Sequence, residues 1–137
     1  VGCGQLAWSL RQDPRVIAIE RTNIRSIDPT RIPDPVDLAS IDTSFISLKI
    51  VVPSIVPFVK PGGIILALIK PQFEAGKGRV GKGGVVRDPV LRAEIIDDLR
   101  AFFAQQSLVS EPVVPSPISG PKGNREFMLY LKGPGGP

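Results

Sequence analysis

Three charged residues stand at the ends of apolar segments and set the chemistry this chain can do: Asp42, Lys70 and Glu126. Asp42 follows the run VDLASI, and a carboxylate at a buried strand end either orients a nearby cation or caps the next helix. Lys70 closes the run IILALI. A lysine there either carries its charge out to water or, in its neutral form, serves as a base. Glu126 lies in GNREF, where taken alone it reads as an exposed acid beside Arg125 or Lys122. The loop GKGRVGKGG, from Gly76 to Gly84, suits either a solvated connection or phosphate binding through backbone N–H groups and the charges of Lys77, Arg79 and Lys82. Its spacing does not match the Walker A loop. Trp8 and Phe73 offer faces for base stacking, although the spacing of Trp8 from Leu6 and Leu10 places it in a core.

Composition removes several alternatives. With no histidine and a single cysteine, Cys3, the 137 residues exclude a disulfide framework, a Cys/His zinc site and any nucleophile paired with histidine. No metal is expected. Seventeen Lys and Arg against thirteen Asp and Glu give a net charge of +4, which favours a polyanionic partner. Apolar runs stay well short of the roughly 20 residues that cross a bilayer, so no membrane span is expected. The lone thiol fits a reducing, cytoplasmic setting. The chain opens VGCG and its single methionine is Met128, which reads as a sequence missing its natural N-terminus.

The elements that position these residues alternate. Residues 4–10 read as a short helix, Arg15 to Glu20 as a strand, and Val36 to Asp42 as a second, buried strand. Leu48, Val51, Val52, Ile55, Val56 and Val59 follow helical spacing, with Pro53 and Pro57 kinking the helix before Lys60-Pro61-Gly62-Gly63 ends it. Ile64 to Lys70 has the pattern of a central parallel strand. Asp88 and Pro89 start a long helix reaching Ser107, and Leu108 to Val114 and Arg125 to Leu131 form two last strands. The order predicts a doubly wound α/β sheet with an antiparallel ending. Ligands of such sheets bind beyond the strands' carboxyl ends, which singles out Asn23, Asp42 and Lys70, and Glu126 as well if the last strand is antiparallel.

The run ALIKPQFEAGKGRVGKGGVVRDP, from Ala67 to Pro89, resembles the signature of the TlyA, or hemolysin A-like, proteins. The likeness extends to GQLAW (4–8), ERTNIR (20–25), DTSFISL (42–48) and SPISGPKGNREF (116–127). It implies a Rossmann-like, FtsJ-like methyltransferase that transfers a methyl group from S-adenosylmethionine to a ribose 2′-hydroxyl of ribosomal RNA. Ribosomal RNA or ribosomal subunits are then the partner. The resemblance carries three members of a Lys-Asp-Lys-Glu tetrad onto Asp42, Lys70 and Glu126, and places the first lysine upstream of Val1. It also implies Asn23 and Asp42 as cofactor contacts, and RNA contacts at Lys77, Arg79 and Lys82.

On this reading residues 1–132 are the C-terminal part of a methyltransferase domain and 133–137 a flexible tail. The Gly-rich cofactor loop and an S4-type RNA-binding domain lie outside the chain. Without neighbours for its first strands, the isolated chain is expected to be marginally stable and inactive. A noncatalytic RNA-binding or ribosome assembly module is the main alternative. Membrane lysis, suggested by the hemolysin label, finds no apolar span or long basic amphipathic helix to support it.

Overall fold

The computed structural model describes residues 4–133. Expectations for Val1 to Cys3 and for residues 134–137 of the tail lie outside the described residues. The chain divides into two compact units, Val1–Pro33 and Asp34–Pro137.

The first unit holds one short helix, α1 (Trp8–Gln12), and the 3-10 turns Ile24–Ser26 and Pro29–Arg31. Two expectations fail here. Arg15 to Glu20 is not a strand, because no described strand pairs with it and an isolated extended segment has no ladder to satisfy its N–H and C=O groups. Trp8 is exposed rather than core, since α1 is too short to bury a face and contains no buried residue.

The second unit is a mixed sheet. Strand β1 (Val36–Ile41) runs parallel to β2 (Val59–Ile69), and β5 (Phe127–Lys132) runs antiparallel to β2. The short strands β3 (Val109–Ser110) and β4 (Val114–Pro115) both pair with β5. The antiparallel ending is thus present, but the strand expected over Leu108 to Val114 is two short bridges, because Pro112 lacks a donor for the ladder. The Pro-Gly segment expected to end the helix lies inside β2, where a register shift between Val36 and Leu38 accommodates it.

Helix α2 (Leu48–Ile55) contains Pro53 and tightens into a 3-10 turn over Val56–Phe58, as the two prolines require. Helix α3 (Pro89–Ala104) starts on the Asp88 side chain, which accepts from Val90 N at 2.9 Å, with Pro89 as its first residue. The helices pack on each other and on the sheet. Ile65, Ala67, Ile69, Leu129 and Leu131 project from one sheet face into the core with Val51, Val52, Leu99 and Phe103. The opposite face, with Ser40, Leu66, Leu68 and Met128, lines an open groove of about 250 Å³. No described helix of residues 34–133 covers that face, so the second layer of a doubly wound sheet is not seen within this unit.

Candidate active site

The two parallel strands end side by side, and the next residue or two of each carries charge. Asp42 directly follows β1 and Lys70 directly follows β2. Asp42 Oδ1 and Lys70 Nζ form an ion pair at 2.5 Å, and the same nitrogen donates a hydrogen bond to the Ser44 hydroxyl at 3.2 Å. The Lys70 side chain is only 12% exposed, whereas that of Asp42 is 72% exposed. Lys70 is therefore held against the Asp42–Ser44 turn rather than extended to water.

Glu126 directly precedes β5, so continuing the Ile69↔Phe127 pair by one step sets it across the ladder from Lys70. It is buried, which corrects the reading of an exposed acid. Its Oε2 has no hydrogen-bond partner among the described residues. Gly120 makes room for it, because a Cβ at that position would overlap Oε2. The antiparallel last strand is what brings a residue from so late in the sequence to the carboxyl ends of β1 and β2.

Asn23 belongs to the other unit, where its Oδ1 caps the 3-10 turn Ile24–Ser26 by accepting from Arg25 N at 2.9 Å. Within the basic loop Lys77 and Lys82 are exposed, while Arg79 is paired with Glu94 at 3.0 Å.

Three features escaped the sequence reading. Glu74 accepts from Ser47 Oγ at 2.6 Å and from Leu48 N at 2.8 Å, fastening the turn after Lys70 to the start of α2. Burial raises its carboxyl above the ordinary value, opposed by those two hydrogen bonds and by Lys49. Buried Asn124 accepts from Val86 N at 3.0 Å and donates to Gly84 O and Pro121 O. Phe45, 88% exposed with φ at 63°, tilts against Phe73 with ring centroids 4.8 Å apart. A bulky residue at positive φ carries strain, the kind found at functional loops. No sequence signal separates these residues from ordinary loop positions, since each depends on a partner distant in the chain.

The orphaned buried polar atoms Thr43 Oγ1, Gln72 Oε1 and Nε2, and Glu126 Oε2 all lie on loops at this sheet end. Buried polar atoms without a partner are uncommon and call for a water, an ion or a ligand to pair them. Among the described residues no group of three His, Cys, Asp or Glu could hold a metal ion.

The site thus combines a mixed sheet, an antiparallel last strand and an acid–lysine pair where the parallel strands end. A family model, "FtsJ-like methyltransferase", matches residues 1–133, and the chain belongs to that family, whose chemistry uses a methyl-donor cofactor. TlyA of Mycobacterium tuberculosis, named a 16S/23S rRNA (cytidine-2′-O)-methyltransferase, is 49% identical over 132 residues, 96% of this chain and 49% of that protein. YqxC of Bacillus subtilis is 45% identical over 136 residues, 98% of this chain and 48% of its own length. A solved Streptococcus thermophilus structure that bears the hemolysin name matches with a TM-score of 0.92 at 37% identity, covering 99% of this chain and 50% of that one. The chain thus spans about half the length of the curated relatives it matches.

Proposed function

We propose that this chain supplies the catalytic residues Asp42, Lys70 and Glu126 of a ribosomal RNA ribose 2′-O-methyltransferase that uses S-adenosylmethionine. The observation that carries the proposal is the two-point grip on the Lys70 amine. A neutral amine has two hydrogens and one lone pair. The Asp42 ion pair and the Ser44 hydrogen bond hold the nitrogen in place, and its deprotonated form then presents the lone pair to a ribose hydroxyl. Lys70 then takes the hydroxyl proton as the oxygen attacks, and Asp42 stabilises the ammonium that forms. Glu126, across the ladder with a free Oε2, accepts a hydrogen bond from the substrate or from Lys70 and fixes the hydroxyl's orientation.

The residues present fit part of a methyl-donor site. Asp42 offers an exposed carboxylate at the strand end, and the orphaned atoms of Thr43 and Gln72 add donors and acceptors. Asn23, in the other unit, already has its Oδ1 engaged by Arg25 N. When bound, the cofactor supplies a methyl group on a sulfonium centre. The exposed cations of the loop after Lys70 hold RNA phosphates, which suits a substrate on the ribosome in the cytoplasm.

No described helix is long and apolar enough to cross a membrane. The test is Lys70→Ala in a version extended at its N-terminus to the length of the relatives. Methyl transfer to ribosomal RNA should fall about 10²–10⁴-fold while RNA binding persists. Unchanged transfer would sink the assignment, and RNA binding without any transfer by the parent would favour a noncatalytic module.

A further inference from the structure

Asn124 joins two loops that are distant in sequence. Its Nδ2 lies 3.0 Å from Gly84 O and 3.1 Å from Pro121 O, so both carbonyls converge on one nitrogen, while Oδ1 accepts from the buried Val86 N–H. Lys82 lies two residues before Gly84, Lys122 directly follows Pro121, and Arg125 directly precedes Glu126.

The cations of this region fall into two groups. Arg79 pairs with Glu94, Arg87 donates to Lys82 O at 3.1 Å, and Arg92 donates to Val86 O, which ties the first loop down to α3. Lys77, Lys82, Lys122 and Arg125 are exposed and make no ion pair among the described residues. Three cations are thus spent on holding the loop still, and four face solvent from two loops locked together.

We infer that Lys122 and Arg125 extend the basic loop into one surface for the RNA sugar–phosphate backbone, and that Asn124 is the positioning residue that keeps the two halves in register. The inference rests on the proposed function and adds residues to it. A ribose 2′-hydroxyl is flanked by phosphates on its own 3′ oxygen and on the 5′ carbon of the same nucleotide. A hydroxyl placed between Lys70 and Glu126 therefore brings phosphates close to the residues beside Glu126, and Arg125 is the first of these. Fixed cations on glycine-rich backbone suit phosphates better than a protein partner, because Gly76, Gly78 and Gly83 present no side chain to pack.

The experiment measures binding of a fluorescein-labelled single-stranded RNA oligonucleotide by anisotropy across a potassium chloride titration, using the N-terminally extended protein. Each phosphate contact contributes about 0.7–0.9 to the slope of log affinity against log salt, so Lys122→Gln with Arg125→Gln should flatten it by about 1.5. Asn124→Ala should flatten the slope although it removes no charge. Both changed residues of the double variant are exposed, so it keeps the fold even if Asn124→Ala does not. A parental slope in the double variant overturns the extended surface, and a parental slope in folded Asn124→Ala overturns the positioning role. Methyl transfer is followed in parallel. Intact Lys70-dependent transfer with an unchanged slope sinks this inference alone, whereas no transfer by the parent sinks the function it rests on.

Discussion

Removing the Glu74 carboxylate tests whether the site is held together by the contacts described above. Glu74→Ala deletes the acceptor for Ser47 Oγ and for Leu48 N at the start of α2. Ser47 still accepts from Lys49 N at 3.1 Å, so the helix keeps its own cap and the loss is limited to the tie across loops. A lost helix-terminal acceptor costs about 0.5–2 kcal/mol, and desolvation of the carboxylate offsets part of the gain from its second bond, leaving a net cost of about 1–2 kcal/mol. That corresponds to a factor of about 5–30 in the opening equilibrium. Amide hydrogen exchange of the extended protein should show Leu48 exposed more often by this factor, with Leu129 in β5 unchanged. The titration gives an independent sign. Burial raises the Glu74 carboxyl above its ordinary 4.5, so the native state binds this proton more readily than the unfolded chain. Its contribution to stability therefore falls as pH rises from about 4.5 through the raised native value, and levels off above it. Glu74→Gln lacks that titration, so the parent's stability relative to it should improve toward the acid end. Unchanged Leu48 protection in Glu74→Ala, or a parental advantage that grows with pH, would refute the reasoning.

Gly120→Ala should impair methyl transfer through Glu126, because the new Cβ would overlap Oε2 and force the carboxylate to move. A variant with parental turnover would show that Glu126 works from another position. Phe103→Ala should destabilise the extended protein by about 3–5 kcal/mol in urea denaturation, since the ring is fully buried between α3 and the sheet. A loss under about 1 kcal/mol would contradict that packing. The 137-residue chain alone should unfold weakly and transfer no methyl groups, because Leu38 and the face with Leu66, Leu68 and Met128 are left open. A sharp calorimetric transition with S-adenosylmethionine binding would overturn this.

Periodicity alone located the elements that bury a full face. α3 shows apolar residues at helical spacing behind an Asp-Pro start, and Ile64 to Ile69 is a continuous apolar run, so local pattern and tertiary role agree. Asp42 and Lys70 were visible because each directly follows the end of a strand, although β1, expected to be buried, buries only Ile41. Arg15 to Glu20 shows the limit of this reasoning, since strand propensity forms no strand without a partner to complete its hydrogen bonds. Glu126 needed the antiparallel register of β5 to change from an ordinary surface acid into a buried group opposite Lys70. Glu74 and Asn124 were decided by tertiary structure alone, because each satisfies backbone groups of segments 26 to 40 residues away. Sequence fixes which side chains carry charge and which segments exclude water; only the fold sets which loops meet, and with them the partners of those charges.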